Sequence, residues 1–321
     1  MKWIRIKINN GDYLFKLILA PMAGYTDRAF REIASEFGAD ETISEMVSCK
    51  GITFKDKKTL SLLEKYPGEN NLSVQIFAGD KESVISACQI LKSFDFKSIN
   101  INMGCPAPKI VKSNQGSYLI KKPDLVYDLV RAAVLNSNLD VSVKIRKSFE
   151  GIFSIDAIKA AEEAGASGII LHARSREEYY RGENDWDYIK KIKGLIKIPL
   201  IGNGDILSVK DAKEKIEYSG VDGLAIGRGT IGNPYIFRDI KANLKGQEIS
   251  HPTKEERLDL LLRHLNLSIK YKGERLGILT MRKSYAYYFK NMENSKELRT
   301  KLNTENDYRE IVKIIEDYRG L

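Results

Sequence analysis

Cys105 closes the stretch Ser98-Ile99-Asn100-Ile101-Asn102-Met103-Gly104-Cys105-Pro106. A short β-type run therefore feeds a Gly-Cys-Pro turn that cannot continue the strand. Pro106 has no backbone N–H and disfavours a helical conformation at Cys105. The thiol is thus presented on a loop at the C-terminal end of a strand, where it either meets a ligand or packs as an inert small side chain. Other apolar runs end in polar or glycine-rich chemistry: Pro21-Met22-Ala23-Gly24, Gln75, Lys144, His172, Asn203-Gly204-Asp205 and Gly227-Arg228. Glycines let backbone amides approach an anion, and Arg228 can add a bidentate charge, so the last two segments suit a phosphate or an ordinary turn. Lys144 closes an alternating run, and a buried cation there needs a phosphate or an electron-rich ring beside it. His172 ends an apolar strand, as a ligand contact or a satisfied core histidine.

Two further clusters mix basic and aromatic residues. Arg174, Arg176 and Arg181 accompany Tyr179 and Tyr180, and the region 270–301 carries Lys272, Arg275, Arg282, Lys283, Lys290, Arg299 and Lys301 with Tyr285, Tyr287 and Tyr288. That mixture suits a nucleic-acid backbone and unstacked bases. Tyr285 and Tyr288, three residues apart, are expected in a helix core.

The elements that must position these groups alternate. β-type runs at Leu17–Ala20, Glu41–Ser44, Leu72–Phe77, Ser98–Asn102, Val141–Ile145, Gly168–His172, Pro199–Gly202 and Gly223–Ile226 are separated by amphipathic segments such as Asp27–Phe37, Glu82–Ser93 and Ser208–Tyr218. Gly38, Gly165 and Gly220 stand at helix C-terminal stops. Eight strand–helix units predict an α/β fold, a (β/α)8 TIM barrel over residues 1–245, with its active site at the strand C-termini. An open doubly wound sheet is the alternative, but no Gly-x-Gly-x-x-Gly opens a helix after the first strand. Residues 246–321 read as wholly helical. Thr304 is expected to cap the last helix with Asp307 three residues on, and Tyr308, Ile311, Val312, Ile315 and Tyr318 share its buried face.

Composition sets the company this chain keeps. Its 321 residues carry a net charge of +9, which suggests a polyanionic partner, nucleic acid first. Cys49, Cys88 and Cys105 lack metal spacing and cannot all pair, so free thiols in a reducing cytoplasm are expected. Three histidines exclude a histidine-rich metal site, and no metal is expected. No run approaches the roughly 20 apolar residues of a spanning helix, so no membrane partner is expected. Leu14–Ala20 imitates a signal core, but Lys16 interrupts it and it leads into the first strand.

The chain resembles the tRNA-dihydrouridine synthases, specifically the bacterial DusB-like branch. The resemblance runs from Leu19 to about Arg299. It rests on Ala20-Pro21-Met22-Ala23-Gly24-Tyr25-Thr26-Asp27, Val74-Gln75-Ile76-Phe77, Asn102-Met103-Gly104-Cys105-Pro106, Val143-Lys144-Ile145-Arg146, Leu171-His172-Ala173-Arg174, Ile201-Gly202-Asn203-Gly204-Asp205-Ile206 and Ala225-Ile226-Gly227-Arg228, in that order. It implies a flavin mononucleotide (FMN) barrel with a helical tRNA-binding domain, reduced by NADPH and active as a monomer. By this resemblance Pro21, Met22 and Ala23 line the flavin, and Gln75 and Lys144 bond its ring system. His172 lies beside it, while Asn203, Gly204, Asp205, Gly227 and Arg228 hold its phosphate. Cys105 matches the proton donor that completes reduction of the uridine C5–C6 bond. Asn102, Arg174, Arg176, Arg282 and Lys283 are the candidate tRNA contacts.

Three positions depart from the pattern. Asn100 stands where an acidic residue is expected, Tyr118 follows Gly116-Ser117 where a small residue is usual, and Ser284-Tyr285 replaces a His-containing pair after Met281-Arg282-Lys283. Two rival functions fit the same barrel. One is a flavin enzyme acting on a free pyrimidine, of the dihydroorotate dehydrogenase kind, and the other is a non-catalytic RNA-binding protein.

Overall fold

The structure is a computed structural model that describes residues 4–8 and 11–320. Its strands are β1 (Ile4–Ile8), β2 (Gly11–Leu19), β3 (Glu41–Ile43), β4 (Val47–Ser48), β5 (Leu72–Phe77), β6 (Ser98–Met103), β7 (Asp140–Phe149), β8 (Ile152–Phe153), β9 (Gly168–Ser175), β10 (Leu200–Asn203) and β11 (Gly223–Ile226). Eight of them pair in parallel in the order β2-β11-β10-β9-β7-β6-β5-β3, and pairing of β2 with β3 closes the barrel. β1 forms an antiparallel hairpin with β2, β4 extends the pairing of β5, and β8 folds back on β7. The stretch that imitates a signal core supplies the first barrel strand, with Leu17 and Leu19 fully buried.

Alternation along the strands explains how this barrel is filled. Val74 and Ile76, Ile99 and Ile101, Val141 and Val143 join the core shared with the surrounding helices. The residues between them, Gln75, Asn100, Asn102, Ser142 and Lys144, point the other way, into the barrel. β2, β3, β9 and β10 fill their side of the interior with Ile18, Ile43, Ile170 and Ile201. One half of the barrel lumen is therefore aliphatic and the other, from β5 to β7, is polar. Two strands outrun their sequence boundaries: β7 continues to Phe149 and β9 to Ser175, so Lys144 lies inside β7.

The helices start where capping chemistry allows. Asp27 accepts the amide of Phe30 at the head of the helix Arg28–Glu36. Gly38, Gly165 and Gly220 take left-handed conformations past helix ends. The barrel's last helix ends at Leu244, and Thr253 with Glu256 forms a capping box for Lys254–Lys272. Helices Glu274–Tyr288, Ser295–Thr304 and Tyr308–Arg319 follow. The last one differs from expectation. Asp307 caps it, accepting from Arg309 and Glu310, because Thr304 still belongs to the preceding helix.

These C-terminal helices share a second core, built on Leu261, Leu265, Met281, Tyr285, Tyr288, Ile311 and Ile315. Ala29, Ile33 and Tyr235 of the barrel enter it, so the helical region is seated on the first and last barrel helices. Polar contacts fix the seat: the Arg28 guanidinium lies 4.0 Å from the Tyr271 ring centroid, Tyr271 donates to Glu32 at 2.6 Å, and Lys272 pairs with Asp27. Lys272, read above as one of a nucleic-acid-binding set, is thus spent on the domain junction.

Candidate active site

Cys105 sits on a loop held from both sides. Asn102 is the penultimate residue of β6, and its Oδ1 accepts the amides of Gly104 at 3.2 Å and Cys105 at 2.9 Å. Below the loop, Ser117 donates its amide and hydroxyl to the Cys105 carbonyl at 3.1 and 3.0 Å. Gly116 makes that approach possible. Its φ is +61°, and a Cβ there would lie 2.7 Å from the Cys105 carbonyl oxygen. The thiol is half-buried at the cleft wall, whereas Cys49 and Cys88 are packed in the core, where burial raises their pKa values.

Arg146 braces the same loop. It lies two residues beyond Lys144 and is buried. Its Nε donates to the Gly104 carbonyl at 2.9 Å, and its Nη1 to the carbonyls of Ser175 and Tyr179 at 2.8 Å. The family-like segment around Lys144 contains Arg146, but nothing local to it signals this role. The alternation that turns Lys144 inward also turns Arg146 inward, and that was the available clue.

Lys144 lines the cleft with Cys105 and His172. Burial, then the neighbouring Arg146 charge, pushes its ammonium down to about 7, with Cys105 acting in the opposite sense. Burial and the cations Lys144, Arg146, Arg174 and Arg228 hold the His172 imidazole well below its ordinary value. His172 is therefore neutral at physiological pH, and the cleft's titrating group is a lysine short of an anionic partner.

At the far end, the loops after β10 and β11 meet. Asn203 donates to the Ala225 carbonyl at 2.6 Å and ties the two strand ends together. Asp205 spends its carboxylate on arginines. Its carboxylate takes Arg174 in two bonds, 3.1 and 2.6 Å, and Arg228 at 2.9 Å. Burial opposes ionisation of Asp205, but the two arginines prevail and lower its pKa. Arg174 completes its bonding on the carbonyls of Arg181 and Gly182 and is only 2% exposed. It is thus an internal brace, with its guanidinium spent on Asp205 and two carbonyls.

The other candidate tRNA contacts separate. Arg176 is half-buried against the rings of Phe149 and Tyr179. Arg282 turns to the Glu305 carbonyl and Asn306 Oδ1, at 3.0 and 2.8 Å, within the helical region. Lys283 alone of this pair reaches toward the barrel, with its ammonium 4.9 Å from the Tyr25 ring centroid and beside Gly24.

One cleft brings together Pro21, Met22, Ala23, Gln75, Asn102, Cys105, Lys144, His172, Asn203, Gly204, Asp205, Gly227 and Arg228. Arg146, Tyr180 and Ile206 also line it, as do Met46 and Leu207, which the sequence does not single out. Among the described residues no cluster of three or more His, Cys, Asp or Glu side chains could hold a metal, and no helix is long and apolar enough to cross a membrane.

The family profile described as Dihydrouridine synthase (Dus) matches residues 18–318. The chain belongs to the dihydrouridine synthase family. A protein of Rickettsia conorii named "Probable tRNA-dihydrouridine synthase" is 35% identical over 306 residues, covering 94% of this chain and 92% of its own length. One of Vibrio cholerae named "tRNA-dihydrouridine synthase B" is 36% identical over 302 residues, covering 93% and 94%. Among solved structures, TcOYE with pHBA shares the fold at a TM-score of 0.53 and 11% identity, over 79% of this chain and 96% of that one. A 2-naphthoyl-CoA reductase complex gives 0.56 at 11%, over 75% of this chain and 52% of that one, so this chain spans about half its length. This synthase is therefore an oxidoreductase built on a barrel, with its cleft where barrel enzymes place their chemistry.

Proposed function

We propose that this dihydrouridine synthase reduces the C5–C6 bond of uridines in tRNA, with FMN resident in the cleft, NADPH as reductant and Cys105 as proton donor to C5. The observation that carries the reading is the arrangement of one cleft: a thiol on a braced loop at one wall, an under-compensated lysine beside it, and a pair of glycine loops carrying Arg228 at the end.

The residues present suit FMN. Arg228 and Gly229 open the turn Arg228–Thr230, whose first internal bond runs from Thr230 to Gly227, so their amides have no acceptor within it. The Asn184 carboxamide is buried beside Asp205, whose ionised form it favours, and packs on Gly204, where a Cβ would approach it to 2.3 Å. Those amides, Arg228 and Asn184 would hold the phosphate. Lys144 and Gln75 would bond the ring system, and Pro21, Met22 and Ala23 would flank it. When bound, the flavin supplies the hydride that reaches C6 of the uridine.

The chain's own residues do the rest. Cys105 donates its proton to C5 as negative charge develops there, in the role of general acid. Asn102, Arg146 and Ser117 keep its backbone fixed during that transfer. Neutral His172 leaves the cleft's positive charge to Lys144 and the arginines. Lys283, beside the loop Gly24–Tyr25 and exposed, is placed to meet tRNA phosphate near the cleft mouth. The target base must leave its stack to reach the thiol. The names of the relatives support tRNA as substrate, and the net charge of +9 supports a polyanion. Comparing tRNA with free uracil or orotate as oxidants of the NADPH-reduced enzyme tests the reading: it requires tRNA to be reduced and the free bases to be inert.

A further inference from the structure

Four polar side chains inside the barrel are joined head to tail, from its middle layer up to the Cys105 loop. Gln75, Asn100 and Ser142 are cross-strand neighbours on β5, β6 and β7, and Asn102 lies one layer above on β6. Asn100 Nδ2 donates to Ser142 Oγ at 2.8 Å, and Gln75 Nε2 donates to Asn100 Oδ1 at 2.7 Å. Asn102 Nδ2 donates to Gln75 Oε1 at 2.9 Å, leaving Asn102 Oδ1 to accept the amides of Gly104 and Cys105. At the other end, the Ser142 hydroxyl donates to the Ile99 carbonyl at 3.4 Å.

The direction of this chain is imposed by the backbone. At the Cys105 end the backbone amides only donate, which fixes the polarity there; at the other end the Ser142 hydroxyl, which can donate or accept, donates to the Ile99 carbonyl and accepts from Asn100. Asn102 must turn its oxygen to Cys105 and its NH₂ to Gln75. Gln75 must then turn its NH₂ to Asn100, and Asn100 its NH₂ to Ser142. Reversing Gln75 sets oxygen against oxygen at one contact and NH₂ against NH₂ at the next, reversing Asn102 sets its NH₂ against the loop amides, and reversing Asn100 sets its NH₂ against that of Gln75 and draws the Ser142 hydroxyl away from the Ile99 carbonyl. Gln75 is 1% exposed and Asn100 fully buried, so bulk water cannot repair a mismatch between those two, whereas Ser142 is half-buried at the lower end of the barrel.

We infer that Asn100 and Ser142 are positioning residues: they fix the orientation of Gln75 at the cleft and, through Asn102, the turn that presents Cys105. The inference rests on the proposed role of Cys105. It also explains how Asn100 serves where the family resemblance leads one to expect an acid. A carboxylate only accepts, so it would orient Gln75 unaided. An asparagine can lie either way round and needs a partner on its far side that accepts, and Ser142 Oγ is that partner. Ser142 should therefore matter only while position 100 is asparagine.

The test is a cycle of Ser142→Ala, Asn100→Asp and the double variant. It is read first by hydrogen exchange of the Gly104 and Cys105 amides in flavin-free protein. Ser142→Ala should speed their exchange roughly fivefold to tenfold, about the worth of one buried hydrogen bond, with the β6 and β7 ladder amides unchanged. Asn100→Asp and the double variant should both keep the parent's protection. In single turnover, Ser142→Ala should slow uridine reduction and leave flavin reduction by NADPH unchanged. Parent-like exchange in Ser142→Ala, or a double variant as labile as Ser142→Ala, would overturn the inference. If Asn100→Asp does not fold, Ser142→Thr decides: its retained hydroxyl must restore protection, and exchange as fast as in Ser142→Ala would refute the relay. The exchange readout is independent of catalysis, so it judges the relay even if Cys105 proves dispensable.

Discussion

Arg228 donates to Asp205 Oδ1 at 2.9 Å, and buried Arg174 holds the same oxygen at 3.1 Å. A carboxylate thus stands behind the cleft's outermost arginine, aligning it while leaving the rest of its guanidinium for an anion. Asp205→Asn should consequently act through stability as well as through FMN. It removes the charge that satisfies a buried guanidinium, at a cost of about 2 kcal/mol after allowing for the two carbonyls Arg174 retains. Denaturant unfolding of flavin-free protein measures that cost, and an unchanged midpoint would contradict the brace. Arg228→Ala, by contrast, should weaken FMN retention with little effect on the flavin-free fold, since Arg228 is partly exposed.

Lys144 gives the flavin-free protein a specific pH signature. Its folded pKa of about 7 lies below the ordinary lysine value, so between the two the unfolded chain binds the extra proton. Stability contributed by this site therefore rises with pH from about 7 upward, and the full penalty of a buried charge is felt below that. Lys144→Met should remove this rise, leaving a flatter profile between pH 7 and 9. FMN affinity should run in the opposite sense, weakening above pH 7 as the ammonium is lost, and Lys144→Met should flatten that trend too. Parallel profiles for parent and variant would exclude Lys144 as the titrating group.

Arg282 and Lys283 are adjacent in sequence but should fail differently. Lys283→Ala should weaken tRNA binding and reduce the slope of log affinity against log salt by roughly 0.7–0.9, the share of one phosphate contact. Arg282→Ala should leave that slope unchanged and destabilise the helical region by about 1 kcal/mol, through loss of its bonds to Glu305 and Asn306. Equal salt slopes in Lys283→Ala and parent would remove Lys283 from the interface.

The barrel was legible because its apolar strands end abruptly in polar chemistry, and Gln75, Asn102, Lys144, His172 and Arg228 do line one cleft. What residue type and spacing cannot reveal is which polar groups answer one another. Arg174 reads as a surface cation until Asp205, Arg181 and Gly182 are seen around it. Lys272 finds Asp27 across 245 residues, a pairing that no local pattern encodes. Asn184 carries no local signal of its place either, since it is defined by the Gly204 loop that only folding brings near. Thr304 could cap a helix by type, but Asp307 does so because the preceding helix runs through Thr304.

Gly116 ties loop geometry to chemistry. Gly116→Ala must force a Cβ against the Cys105 carbonyl at a positive φ, costing about 1–3 kcal/mol of strain. Uridine reduction should fall more than FMN content in this variant. Equal losses in both would mean the strain spreads through the whole cleft.

The central claim is that the Cys105 thiol supplies the proton, and single-turnover oxidation of prereduced enzyme by tRNA tests it most directly. Cys105→Ala and Cys105→Ser should fold, bind FMN and be reduced by NADPH at the parent's rate. Both should then reduce uridine about 10²- to 10⁴-fold more slowly, the usual worth of a placed general acid, because a serine hydroxyl is a far weaker acid of nearly the same size. A serine variant that reacts with tRNA at the parent's rate would contradict the account and leave Cys105 a packing residue.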